Sequence, residues 1–306
     1  MEILGREEDC MANRNVKRSK KNAAEANAMG PMEMSRRMVD LGPISHQPTF
    51  ADHLLMGLAR LRVHLPPGWF PLLRERKDQS TLSATEQERF LCAFSTLNIT
   101  GALGQMVQIH GQMHNQHGTL RFLPWHRIFL FLLENELASI HPDVTLPYWD
   151  WTQGAEQSVP SWLAAFLPTV STPTGSVTVT RSPGTKGALA SIASNVPATM
   201  ALTDFGNFAL NGSGSTWSLE LIHDFVHGWV GGTMGVIATA PADPIFWMHH
   251  ANIDRLWWQW QQSPAGSGKN PPLTGAPGSS TSPVMDPWTY TEVDTRSITS
   301  LGYTYV

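Results

Sequence analysis

Apolar residues recur every three or four positions in several stretches of the chain, and this spacing predicts amphipathic helices. The first stretch follows Ser83, which together with Glu86 has the spacing of a capping box, the pair of side chains that closes a helix N-terminus. The second follows a break at Gly101 and runs over about residues 103–114. Both stretches are therefore predicted to be helices with one face turned towards a core.

Three more helices are predicted further along the chain. Pro124 suits the first position of a helix, and a long apolar segment follows it. Residues 218–229 have helical spacing, and Asp243 followed by Pro244 has the pattern of an N-cap and a first helical residue. We expect the helix that begins there to run to about residue 262.

The polar stretches set the domain limits. Residues 1–45 mix Asn, Lys, Arg, Glu and Met without apolar periodicity, which is typical of a disordered or loosely attached leader. Residues 46–306 are interpreted as one domain, because their length allows a single substantial core. Within it, residues 168–216 are rich in Ser, Thr, Gly and Pro, which favours a long surface excursion with a short strand around residues 176–180.

Composition argues against several classes of partner. The formal net charge of −4 and the pI of about 6.3 give no basic surface for nucleic acid, whose binding depends on clustered Lys and Arg. The longest strongly apolar run, residues 128–133, is too short to cross a bilayer, and no apolar segment follows the basic run at residues 17–21. We therefore expect no nucleic-acid or membrane partner and favour the cytoplasm, while the oligomeric state stays undetermined.

Eight of the twelve histidines lie in two clusters. The first cluster comprises His110, His114, His117 and His126, and the second comprises His223, His227, His249 and His250. His223 and His227 are four residues apart, so on a helix their imidazoles point to the same side and can share one ion. Imidazoles without a thiolate suit copper, zinc, iron or nickel. Two sites of three histidines each, built between facing helices, explain two clusters better than capping or core histidines do.

The segments around these histidines resemble the two copper-binding signatures of tyrosinases and related polyphenol oxidases. The resembling segments are HGTLRFLPWHRIFLFLLE (117–134), LPYWDW (146–151), HDFVHGWVGGTMG (223–235), DPIFWMHHANIDRLWWQWQ (243–261) and Tyr303-Thr304-Tyr305. The resemblance covers most of residues 74–306. It implies a mainly α fold, in which a four-helix-bundle core carries a dinuclear copper site, with long loops and a few short strands.

The resemblance also assigns metal ligands by motif. His117 and His126 match two ligands of the first copper, and its remaining ligand is His110 or His114, of which we favour His110. The second copper matches His223, His227 and the second histidine of the HH pair, His250, which leaves His249 without a role. Some relatives link a cysteine two residues before the second ligand to that histidine, and Asn115 at this position makes the cross-link impossible.

The activity implied by the resemblance is copper-dependent oxidation of phenols by O2, from monophenol to o-diphenol and from o-diphenol to o-quinone. The alternatives are a catechol or o-aminophenol oxidase without monophenol activity, a haemocyanin-like oxygen carrier and a histidine-only zinc hydrolase. The chain ends just after Tyr305, so we expect no C-terminal domain covering the site. An open site favours catalysis over oxygen transport.

Three further residues acquire expected roles from the resemblance, and a fourth, Asp254, from its spacing to His250. Glu220 and Asp224 lie where relatives place a Glu and an Asn thought to hold a water that accepts the phenol proton. Two nearby carboxylates repel each other and raise at least one pKa, which favours a base role. Ile237 lies where some plant catechol oxidases place a Phe over the first copper. Asp254, one turn after His250, either orients a ligand or pairs with an arginine.

Overall fold

The computed structural model describes residues 73–210 and 217–306. The leader predicted for residues 1–45 lies outside the described residues, as do the first part of the predicted domain and residues 211–216. The helices are α1 (Ala84–Ile99), α2 (Ala102–Gln112), α3 (Phe122–Ile140), α4 (Lys186–Ala193), α5 (Val196–Met200), α6 (Phe205–Ala209), α7 (Leu219–Val230) and α8 (Pro244–Gln262). The strands are β1 (Arg74–Arg76), β2 (Thr169–Thr172), β3 (Gly175–Thr178) and β4 (Tyr303–Tyr305).

Local capping explains where the predicted helices begin. Ser83 and Glu86 form both halves of the capping box before α1, as predicted. Asp243 accepts a hydrogen bond from the Ile245 amide before α8, and Pro244 occupies the first turn, where its missing N–H costs nothing. Pro124 does not begin its helix as predicted, because α3 already starts at Phe122.

The interpretation of residues 168–216 as an irregular excursion with one strand was wrong in part. Strands β2 and β3 form an antiparallel hairpin in which Val170 pairs with Val177, and α4, α5 and α6 follow it. These helices are only five to eight residues long, and such lengths are not stable by helix propensity alone. Burial of Leu189, Val196 and Phe208 in the core stabilises α4, α5 and α6 instead.

The core lies where α3 packs against α1 and α8, while α7 packs against α8. Helix α3 buries most of its surface, including Trp125, Ile128 and Phe129, so it is the central helix of the described chain. The N-terminal part of α3 and the neighbouring parts of α2, α7 and α8 carry six of the eight clustered histidines. The predicted fold class, mainly α with a few short strands and a histidine-bearing helical core, is confirmed.

Helices α1 and α2 form a sharply bent pair. Gly101 between them has φ 81°, a left-handed conformation that favours glycine. No described helix is by itself long and apolar enough to cross a membrane, although α1 and α2, which meet at 77°, pass a test of length and composition as a bent pair. The bend at Gly101 sets the direction of α2, whose last turn contains His110.

A buried ion network ties the two ends of the described chain to the central helices. Strand β1 pairs in parallel with β4, which places Arg76 beside Tyr305. Arg76 donates to Glu134 on α3 at 3.0 and 3.2 Å. On α8, Asp254 accepts from Arg127 of α3 and, at 2.7 and 2.6 Å, from the hydroxyls of Tyr303 and Tyr305. Of the two roles considered for Asp254, the structure therefore shows the pairing with arginine.

Candidate metal centre

The first histidine group is built from α2, the turn after it and α3. His110 lies in the last turn of α2, His117 follows the short 3₁₀ helix His114–Gln116, and His126 lies near the start of α3. One ring nitrogen of each lies within 4.8 Å of the others, and the Nε2 atoms of His110 and His126 are 3.4 Å apart. These three side chains therefore converge on one point.

The backbone fixes which nitrogen of each ring faces that point. The Nδ1 atom of His110 lies 2.8 Å from the Ile237 carbonyl, that of His117 lies 3.2 Å from the His114 carbonyl, and that of His126 lies 2.8 Å from the Phe122 carbonyl. Because a carbonyl only accepts, each Nδ1 carries the proton. The lone pair of each neutral ring is then on Nε2, free to bind a metal ion.

The second group is built from α7 and α8. His223 and His227, one helical turn apart on α7, place their Nε2 atoms 3.0 and 3.2 Å from Nε2 of His250 on α8. Imidazole nitrogens bound at about 2.0 Å to a tetrahedral ion lie about 3.3 Å apart, so these separations fit ligands of a single ion. The convergence without any thiolate matches the all-imidazole donor set predicted from the spacing.

The two groups lie side by side. The rings of His126 and His250 stack with centroids 4.4 Å apart, and those of His117 and His223 lie 6.2 Å apart. One ligand of each group thus faces the other group directly. The arrangement can hold two ions close enough for a small molecule to bind between them.

Two histidines of the clusters compete with the predicted ligands. His114 is exposed and lies outside the converging group, so the geometry favours His110 for the first site. A ring nitrogen of His249 also lies within 4.8 Å of those of His223 and His227. Its Nδ1, however, accepts a hydrogen bond from Trp151 at 3.0 Å, which occupies that lone pair. The Nε2 separations therefore favour His250 for the second site.

The surroundings keep the imidazoles neutral. Burial lowers the pKa of His110, His126, His223 and His250 well below the ordinary value, and the proximity of neighbouring histidines lowers it further. Burial likewise lowers the pKa of His227 to about 4. Rings that stay unprotonated at neutral pH do not lose a proton when they bind a metal ion, so their affinity for the ion is highest there.

The predicted catalytic residues stand in different positions around the histidines. Glu220 is buried, and its Oε1 accepts from the Gly118 amide at 2.7 Å, so it lies between α7 and the turn that carries His117. The Asp224 carboxylate is half-exposed and lies 3.1 Å from Nδ1 of His223. The Ile237 side chain is 48% exposed although its carbonyl binds His110.

Sequence reasoning missed several contacts of the centre. The acceptors for His110 and His227 are backbone carbonyls of Ile237 and Met234, which no side-chain motif marks. The contact from Asp224 to His223 joins adjacent residues, and an acid beside a predicted ligand was the available signal. The partner of His249, Trp151, belongs to the LPYWDW segment, whose position in the fold could not be read from spacing.

The chain is similar in sequence to proteins of one known family. The family model described as the common central domain of tyrosinase matches residues 100–183 and 174–263. A tyrosinase of Streptomyces antibioticus is 30% identical over 250 residues, which are 69% of this chain and 89% of that protein. A tyrosinase of Streptomyces glaucescens is 29% identical over 235 residues, 64% of this chain and 85% of that protein.

A solved structure shows the same fold. The functional unit of Octopus hemocyanin aligns with a TM-score of 0.60 at 22% identity, over 76% of this chain and 67% of that chain. At this identity the likeness concerns the fold alone. All six histidines assigned by motif fall within residues 100–263, which the family model matches.

Proposed function

The chain belongs to the tyrosinase family of copper oxidases, and from this premise we propose that it hydroxylates monophenols to o-diphenols and oxidises o-diphenols to o-quinones with O2. The observation that carries the proposal is the side-by-side pair of three-histidine groups, whose Nε2 atoms converge. The proposed ligands are His110, His117 and His126 for one copper and His223, His227 and His250 for the other.

The residues present fit two copper ions. Each ion would receive three neutral nitrogen donors, and such a set leaves a position open for a small ligand. When bound, copper supplies the redox chemistry that activates O2. The chain supplies fixed donor atoms and a largely buried site, because most of the ligand rings are shielded from water.

Proton removal is the step assigned to the chain's own carboxylates. A phenol hydroxyl has a pKa of about 10, so a base must take its proton at neutral pH. Glu220 lies one helical turn before His223 and is held by the Gly118 amide next to His117, so its carboxylate stands near both groups. In the proposal the phenol O–H bond breaks and the proton passes to Glu220, directly or through a water.

The proposal is tested by oxygen uptake of the copper-loaded protein with a monophenol, a catechol and an o-aminophenol. We expect catalytic O2 consumption with the monophenol and with the catechol, and none in the copper-free protein. Uptake with catechol or o-aminophenol alone would contradict the monophenol activity. Reversible O2 binding without consumption would instead indicate a haemocyanin-like oxygen carrier.

We expect Glu220→Gln to lower monophenol turnover by about 10²-fold, because general-base catalysis contributes at least this much. Catechol turnover should fall less, so the ratio of monophenol to catechol turnover falls. Asp224→Asn should also shift this ratio, since the change alters the charge beside His223. Glu75→Gln, at an exposed carboxylate on β1, is the control. If Glu220→Gln and Asp224→Asn both kept the wild-type ratio of monophenol to catechol turnover across about pH 5 to 9, the base role would be excluded.

We expect Ile237→Phe to raise KM for bulky phenols more than for catechol. The Ile237 side chain is half-exposed next to the backbone carbonyl that binds His110, so a larger ring there narrows the approach to the first group. Val236→Phe is the matched control, because Val236 is the adjacent residue with a similar exposure of 52%. Equal effects of Ile237→Phe on small and large substrates would show that this residue does not line the entrance.

A further inference from the structure

The ring-anchoring hydrogen bonds of the centre fall into two kinds. His117 and His126 bond to carbonyls three and four residues back, and His223 lies against its neighbour Asp224, so each is anchored by its own segment. His110 and His227 differ. Their acceptors, the carbonyls of Ile237 and Met234, both belong to residues 231–239, which we call the bridging loop.

The bridging loop therefore holds one ligand of each metal group. Its Ile237 carbonyl fixes a ring on α2, 127 residues away along the chain. Its Met234 carbonyl fixes the ring of His227 on α7. The loop continues directly from this helix, which ends three residues after His227. Both hydrogen bonds are 2.8 Å long, and both determine which nitrogen faces the metal.

The start of the loop is pinned to a second segment of the chain. Gly231 and Gly232 have φ of 63° and 56°, and a Cβ on Gly232 would lie 2.2 Å from the Thr180 carbonyl oxygen. Thr233 exchanges two hydrogen bonds with Thr180, at 2.9 Å from its amide and 2.8 Å to its hydroxyl. The loop path thus depends on Gly231 packed against Ser182 and on Gly232 packed against Thr180.

The far end of the loop is closed by its own hydrogen bonds. The Thr239 hydroxyl donates to the Thr233 carbonyl at 3.0 Å, and the Ala240 amide donates to the Val236 carbonyl at 2.9 Å. Between these closures the Met234 side chain is buried, while the side chains of Val236 and Ile237 are half-exposed. A displacement of the loop backbone must consequently move the Met234 and Ile237 carbonyls together.

We propose that the bridging loop is a positioning element that couples the two metal sites. An ion at the first site would fix the ring of His110, which is hydrogen-bonded to the Ile237 carbonyl of the loop. The loop would then hold the Met234 carbonyl in place for His227, a ligand of the second site. A copper ion at one site thus favours binding at the other, and because coupling is reciprocal the effect is equal in both directions. The inference rests on copper as the bound metal, as proposed above, but not on phenol oxidation.

Gly232→Ala in the full chain tests the coupling, with copper affinity measured by chelator competition in two single-site backgrounds. His250→Ala leaves the first site and His126→Ala leaves the second. We expect Gly232→Ala to weaken the remaining site in both backgrounds by about 10- to 100-fold, the usual effect of disturbing a ligand's hydrogen-bond partner. Weakening in one background only, or in neither, would overturn the proposal.

A second measurement counts the ions bound to each chain by native mass spectrometry at one equivalent of copper. We expect Gly232→Ala to show a larger fraction of chains with a single copper than the wild type does. Thr233→Val removes the Thr180 amide's acceptor without adding a clash and should act in the same direction, which covers the case that Gly232→Ala does not fold. An unchanged distribution in the folded variants would overturn the coupling.

Gly187→Ala controls for the substitution itself, because a Cβ at Gly187 on α4 meets open space. We expect it to leave copper binding at the wild-type level. The readouts also separate this inference from the proposed function. If the wild-type chain bound no copper, the proposed function would be wrong. If Gly232→Ala bound two coppers with the same affinities as the wild type, only the coupling inference would be wrong.

Discussion

Replacing His126, His227 or His250 by Ala is expected to abolish oxidation of phenols and to leave at most one firmly bound copper per chain. Each of these rings points its Nε2 into a three-nitrogen group. An ion left with two of three imidazoles has too few donors to be held through a redox cycle. The loss should appear both in copper content by elemental analysis and in oxygen uptake.

The matched controls are the two neighbouring histidines that are not assigned as ligands, His114 and His249. His114→Ala should keep two coppers and near wild-type activity, because its side chain is exposed and only its backbone carbonyl bonds to His117. His249→Ala should keep both coppers, because the Nδ1 lone pair of His249 accepts the Trp151 N–H. Full activity in His250→Ala combined with loss of copper in His249→Ala would reverse the assignment of the second site.

The parts of the fold that could be predicted from the sequence are those determined locally. The capping box at Ser83, the Asp243-Pro244 pair and the spacing of His223 and His227 each act over one helical turn, so they are visible in the sequence. The short helices α4 to α6 could not be predicted, because their stability comes from burial against distant residues rather than from propensity.

The candidate site divides in the same way. The motif and the spacing predict the two histidine clusters, whereas the choice between His110 and His114 depends on where α2 ends. The helix ends at Gln112, which leaves His110 in the last turn and His114 in an exposed 3₁₀ turn. The bridging-loop carbonyls depend on the tertiary path of the backbone, and backbone acceptors have no sequence signature.

The position of Asp254 on α8 leads to the second large expected effect, which concerns stability. Its carboxylate accepts hydrogen bonds from the side chains of Arg127, Tyr303 and Tyr305 and lies 3.4 Å from the Arg76 guanidinium. All four partners are buried. Burial alone would raise the pKa of Asp254, but Arg127 and Arg76 lower it below the ordinary value, so the group is charged in the folded chain. Removing its charge leaves the two buried arginines without this partner.

We therefore expect Asp254→Asn to lower the free energy of unfolding of the copper-free protein by about 3–5 kcal/mol, the usual cost of breaking a buried ion pair on one side. Because the folded pKa lies below the unfolded one, the carboxylate's contribution is present above about pH 4 and is lost only as the pH falls through the folded value. The difference between wild type and variant, measured by urea unfolding, should thus stay constant from about pH 5 to 8.

The exposed pair of Arg89 and Asp143 provides the comparison, since both partners are about half-exposed. Asp143→Asn should cost no more than about 1 kcal/mol, because water and salt screen an exposed pair. Tyr305→Phe, which deletes one hydroxyl donor to Asp254 but keeps the charges, should give an intermediate loss. If Asp254→Asn cost no more than Asp143→Asn, the network would not stabilise the packing of α3 on α8, and the stability of the metal-bearing helices would have to come from apolar burial alone.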